Sequence, residues 1–251
     1  SFCWAELATS DPEAAKKFYT SMFGWSYKDN PMPNGVYTVY QVDGNDAAAM
    51  YQGQPGVPPN WQPFFATTDV DASAGKAKEL GAEIVMGPMD IGPPGSMAVV
   101  KDPQGVFFSL WQGKENIGLT HGGPLNRVLW PEVATPDPAG AAAFYSGLFG
   151  WTTKPASGYD TAEYVELSNQ GESFGGMLPM RGDMWKGIPP HWLLYVTVAD
   201  CNERAEHAKS LGGSICVPPR DIPNVGRFSL LGDPQGARIC IIQMTGQHAA
   251  A

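Results

Sequence analysis

Charge is scarce in this chain of 251 residues: 16% of the side chains are Asp, Glu, Lys or Arg, against 43% hydrophobic. That balance excludes a disordered chain. Basic residues are the scarcer sign, 16 Lys plus Arg against 25 Asp plus Glu, and the formal charge of −9 repels phosphate backbones. Nucleic acid is therefore excluded as a partner. No apolar run reaches the roughly 18 residues that a membrane-spanning helix needs. The opening SFCWAELATSDPE lacks both the basic stretch and the apolar stretch of a secretory leader. A cytoplasmic location without membrane attachment is expected. Cysteine is limited to Cys3, Cys201, Cys216 and Cys240 with no CxxC pair, which excludes a zinc-ribbon spacing and a disulfide scaffold.

What the chain does contain is repetition. WAELATSDPEAAKKFYTSMFGW from Trp4 returns as WPEVATPDPAGAAAFYSGLFGW from Trp130, an offset of 130 − 4 = 126. PPNWQPFFATTDVD around Trp61 returns as PPHWLLYVTVADCN around Trp192, an offset of 192 − 61 = 131. The chain is thus two homologous halves, 1–120 and 121–251. A fainter echo, ATSD at Ala8 and ATTD at Ala66, divides each half again. Four modules follow, about 2–55, 56–113, 128–183 and 184–244.

Each module reads as strand, helix and three strands. Asp11 is a helix cap, Pro12 suits the first helical position, and Gly24 suits the stop. Ala15, Phe18, Tyr19 and Met22 form the buried stripe, with Lys16 and Lys17 on the other side. Asp102-Pro103-Gln104-Gly105 and Asp233-Pro234-Gln235-Gly236 place Pro and Gly where a type I turn wants them, between two apolar strands.

The Asp-capped helix ending in Phe-Tyr and Phe-Gly, with DPQG before the last strand, resembles the glyoxalase, bleomycin-resistance and extradiol-dioxygenase superfamily, the vicinal oxygen chelate fold. The resemblance covers nearly the whole chain and is nearest to tandem two-domain members labelled hydroxylase or glyoxalase-like. It implies an α+β fold of four βαβββ modules, paired into two U-shaped or barrel-like mixed sheets with the helices outside. It also implies, for metal-dependent members, a His, Gln or Glu on the first strand of each module and a Glu on the last. Here those positions hold Trp4, Gln62 and Ser109 in the first half, and Trp130, Leu193 and Cys240 in the second. Neither set is a metal triad, so no metal and no other cofactor is expected.

Glu6 and Glu132 lie two residues beyond the tryptophans, on the same strand face, where a carboxylate is costly unless paired. Each is a candidate ligand anchor and a weak candidate for acid–base chemistry. Trp4, Trp130, Trp111 and Phe107 are candidates to stack on a planar ligand, or to fill its space themselves. Gln62, Phe64, Ser109, Tyr195 and Cys240 complete the candidate lining. The expected function is metal-free binding of a small, partly aromatic or cationic molecule, of the sequestering or resistance type. The alternative is a metal-dependent lyase, isomerase or dioxygenase with a non-standard site, drawing on Glu6 or Glu132, Gln62 and His191. A monomer is favoured over a homodimer, because four modules supply internally what two-module relatives gain by dimerising. How the modules pair is left open.

Overall fold

In a computed structural model of the protein, residues 1–33, 35–119, 125–156 and 164–245 are described. The first module is β1 (Phe2–Thr9), α1 (Pro12–Phe23), β2 (Ser26–Met32), β3 (Gly35–Val42) and β4 (Asn45–Gln52). The second is β5 (Asn60–Ala66), α2 (Val70–Glu79), β6 (Glu83–Asp90), β7 (Gly95–Lys101) and β8 (Phe107–Gly113). The third is β9 (Val128–Thr135), α3 (Pro138–Phe149), β10 (Thr152–Pro155), β11 (Val165–Asn169) and β12 (Glu172–Pro179). The fourth is β13 (His191–Thr197), α4 (Cys201–Ser210), β14 (Ser214–Ile222), β15 (Gly226–Gly232) and β16 (Arg238–Met244). The expected order of strand, helix and three strands holds in all four.

The sequence sets the helix ends by capping. Asp11, Asp69, Asp137 and Asp200 each accept a hydrogen bond from a backbone N–H three residues on, which satisfies a donor that the first turn leaves unpaired. Gly24 (φ 66°) and Gly150 (φ 71°) stop α1 and α3 in the left-handed region, where a side chain would be strained.

Two mixed eight-stranded sheets result, one from each half. Their orders are β2-β3-β4-β1-β5-β8-β7-β6 and β10-β11-β12-β9-β13-β16-β15-β14. Both are open sheets with two edges rather than closed barrels. Within every module the first strand pairs in parallel with the last, as β1 does with β4 and β5 with β8, while the remaining pairs are antiparallel hairpins. Among the described residues no helix is long and apolar enough to cross a membrane.

By compactness the chain divides into two units that mix the halves. One comprises residues 1–4, 62–118 and 130–193; the other comprises 5–61, 119–129 and 194–251. Strands pair within a half, while the helices pack across halves, α2 with α3 in one unit and α1 with α4 in the other. In the first unit Phe65, Phe108, Tyr145, Trp151 and Trp192 share one core, with Phe149 stacked on Trp151 at 4.4 Å. In the second unit Tyr19, Phe23, Trp25, Tyr40 and Trp61 do the same, Phe23 lying 4.9 Å from Trp25. The repeated Phe-Gly-Trp is therefore a core device, because the glycine turn folds the Trp back onto its own helix.

Lys16 departs from the sequence expectation. It is 6% exposed, not solvated. Its ammonium bridges Glu13 and Asp29, both at 2.8 Å, and lies 5.1 Å from the centre of the Tyr27 ring. A long aliphatic stem lets lysine cover apolar surface while its charge reaches partners at the edge.

Candidate functional site

The DPQG turns carry buried polar contacts that the sequence does not reveal. Asp102 Oδ1 accepts from the backbone N–H of Gln104 and Val106 at 2.8 and 2.9 Å, which fixes the turn. Its Oδ2 accepts from the phenol of Tyr145, 2.9 Å away, on the helix of another module. Asp233 repeats this, accepting from Gln235, Ala237 and the Tyr19 phenol, the last at 2.9 Å across 214 residues of chain. Trp61 Nε1 donates to the same Tyr19 oxygen at 2.9 Å. Burial pushes both aspartates above the usual carboxylate range although these donors pull the other way. The Tyr of the Phe-Tyr motif and the Asp of DPQG are thus two ends of one structural tie in each unit. Gln104 adds to it by donating to the carbonyl of the helix cap Asp137 at 2.9 Å.

The two candidate carboxylates sit differently from these ties, each facing a phenol of its own module. Tyr37 donates to Glu6 Oε1 at 2.6 Å. Glu6 keeps part of its surface, yet its carboxyl is densely surrounded. Desolvation outweighs the Tyr37 bond and raises its pKa to about 7. Tyr51, the cross-strand partner of Tyr37, lies close enough to Glu6 for the charge to add to burial, and its phenol is pushed up to about 12. In the third module Tyr164 donates to Glu132 Oε2 at 2.8 Å, and Trp130 Nε1 donates to the Tyr164 oxygen at 3.1 Å. Here both members are buried, Glu132 to 5% and Tyr164 to 3% exposure. Tyr37 and Tyr164 lie outside the strands expected to hold metal ligands, so that pattern does not single them out. The signal was present: 164 − 37 = 127, the same offset that relates Gly44 to Gly171 and Met50 to Met177.

The remaining candidates fall into smaller groups. Gln62 Nε2 donates to Ser109 Oγ at 2.6 Å, and Ser109 is the cross-strand partner of Phe64. Phe64 meets Trp111 edge-on with 6.4 Å between centroids, and the Trp111 indole donates to the Asn116 carbonyl at 2.8 Å. Phe107 is 45% exposed beneath the Lys101 ammonium. Trp4 is buried and Trp130 partly buried. Tyr195 and Cys240 are cross-strand partners, 5% and 1% exposed, and Tyr195 packs on Phe228. His191 holds its Nδ1 at 2.8 Å from the Pro189 carbonyl, a local loop contact.

These donors do not fit the divalent cation that metal-dependent relatives of this fold carry. The first-half positions offer one neutral amide and one hydroxyl that already bond each other; in the second, Leu193 has no donor atom. Among the described residues, no three His, Cys, Asp or Glu side chains cluster as a metal site.

Residues 2–110 and 125–241 match the sequence profile of the Glyoxalase/Bleomycin resistance protein/Dioxygenase superfamily, and the chain belongs to that superfamily. It is 38% identical over 253 residues to the Mycobacterium tuberculosis protein named "Putative glyoxylase CFP32", covering 98% of this chain and 95% of that one. It is 31% identical over 268 residues to "Anthracycline biosynthesis protein DnrV" of Streptomyces peucetius, covering 99% and 94%. Among solved structures, the Mn(II)-bound glyoxalase from Novosphingobium aromaticivorans superposes with a TM-score of 0.67 at 15% identity, over 96% of this chain and 81% of that one. That last likeness concerns the fold.

Proposed function

We propose that the chain binds a small, planar molecule without a metal, as a sequestering or resistance-type member of its superfamily acting in the cytoplasm as a monomer. One observation carries this reading. Duplication has kept a glutamate hydrogen-bonded to a tyrosine in both halves, whereas the positions expected to ligate a cation hold no His, Asp or Glu in either half. A carboxyl held beside phenol and indole rings suits a ligand that is flat and carries a hydrogen-bond donor. The name of the Streptomyces relative, which refers to anthracycline biosynthesis, agrees with a flat aromatic ligand. Four free thiols agree with a reducing compartment.

Metal analysis tests this directly. Protein purified without chelator, supplemented with Fe, Mn, Ni and Zn salts and dialysed, is expected to retain far less than one metal ion per chain by elemental mass spectrometry. Retention of about one ion per half would contradict the proposal and favour a metal-dependent lyase, isomerase or dioxygenase with an unusual ligand set.

A further inference from the structure

The two carboxyl–phenol pairs share an origin but not a surrounding. Glu132 and Tyr164 are both sealed, and the sealing has a visible cause in strand β12. Gly176 is the cross-strand partner of Glu132, and a Cβ there would collide with the Tyr164 hydroxyl, so the absent side chain is what lets the phenol press against the strand. The corresponding partner of Glu6 is Ala49, and there Tyr37 stays partly exposed. One step further along, the first half has Tyr51, 38% exposed, where the second has Leu178. Glu6 Oε1 takes the Tyr37 bond; among the described residues Oε2 has no hydrogen-bond partner, and the residue keeps part of its surface.

We propose that the halves have divided their work: Glu6 Oε2, flanked by Tyr37 and Tyr51, receives the N–H or O–H donor of an aromatic ligand, while Glu132 and Tyr164 form a closed structural knot. The ligand class rests on the binding function proposed above; the asymmetry does not. Stoichiometry is then one ligand per chain. The acceptor lone pairs of Oε2 require a donor, and the two phenol rings give that donor's ring a surface to lie on. Above pH 7, where the carboxyl is ionised, an acceptor-only aromatic such as benzoate is repelled. The raised pKa of Glu6 agrees, since an ionised carboxyl with its second oxygen unpaired in apolar surroundings is costly and a donor at Oε2 offsets that cost.

Two measurements on the full chain test this. The first needs no ligand: the apolar reagent dicyclohexylcarbodiimide, which attacks protonated carboxyls it can reach, is applied at pH 6 and the product is mapped by peptide mass spectrometry. Glu6 is expected to be labelled at least tenfold more than Glu132; equal labelling, or preference for Glu132, overturns the asymmetry. The second uses benzamidine, phenol and benzoate as probes in ligand-detected NMR and calorimetry at pH 8, where Glu6 is ionised. At least one of the two donors is expected to bind at one site per chain, to weaken at least tenfold in Glu6→Gln, and to protect Glu6 from the carbodiimide. Benzoate is expected not to bind. Two sites per chain, benzoate binding as well as the donors, or no binding of either donor at millimolar concentration overturns the ligand assignment. Preference between benzamidine and phenol tells a cationic donor from a neutral one. Retained metal would sink the metal-free function yet leave the labelling contrast standing, so the two failures are distinguishable.

Discussion

Asp233→Ala is expected to cost about 3 to 5 kcal/mol of stability, because three donors lose one acceptor and each buried donor left unpaired costs about 1 to 3 kcal/mol. The substitution strips the Tyr19 phenol of its acceptor inside a closed aromatic core and releases the backbone N–H groups of Gln235 and Ala237 together. Asp102→Ala is expected to behave alike through Tyr145, Gln104 and Val106. Tyr19→Phe removes the phenol bond to Asp233 and the acceptor of Trp61 Nε1 but leaves Asp233 its backbone donors, so about 1.5 to 3 kcal/mol is expected. Urea denaturation of the three variants at pH 7 decides the matter. A loss below about 1 kcal/mol for both alanine variants would show that these turns are local features and not ties between modules.

Stability is also expected to fall with rising pH through Glu6. Its folded pKa of about 7 lies above the ordinary carboxylate value of 4.5, so the folded chain binds the extra proton. Below pH 4.5 both states are protonated and ionisation costs nothing. Between 4.5 and 7 the unfolded chain ionises first and stability declines; above 7 the full cost persists. With Glu6 partly exposed, about 2 to 3 kcal/mol is the scale for a shift of this size. Glu6→Gln is expected to remove that decline, making the variant more stable than the parent at pH 8 and nearly equal at pH 4.5. Parallel denaturation curves across pH 4.5 to 8 for parent and variant, with the same slope, would contradict the burial of this carboxyl.

Much of this architecture is written in the chain in local form. Helix ends are legible because Asp11 or Gly24 acts on its immediate neighbours, and four modules are legible because each repeats the same few signals. Long-range partners are not. Nothing near Asp233 announces Tyr19, and the turn it makes is a sufficient local explanation for its presence. Lys16 is illegible for a related reason: helical periodicity assigns it a face, but only packing shows that Asp29 and the Tyr27 ring cover that face. The site was half legible. Glu6 and Glu132 stand out as carboxylates among apolar strand residues, while their phenol partners hide in strands whose tyrosines look like ordinary β-formers. The different fates of the two pairs are carried by small substitutions, Ala49 against Gly176 and Tyr51 against Leu178, whose consequence is geometric.

The central claim is that the Glu6 carboxyl, not a metal ion, holds the ligand. A thermal-shift screen of aromatic donor compounds tests it most directly, run on chelator-treated protein, on the same protein resupplied with Fe, Mn, Ni and Zn, and on Glu6→Gln. The expected result is at least one compound that raises the melting temperature equally with and without metal, and not at all in the variant. A shift that appears only when metal is restored, and that survives in Glu6→Gln, would contradict it.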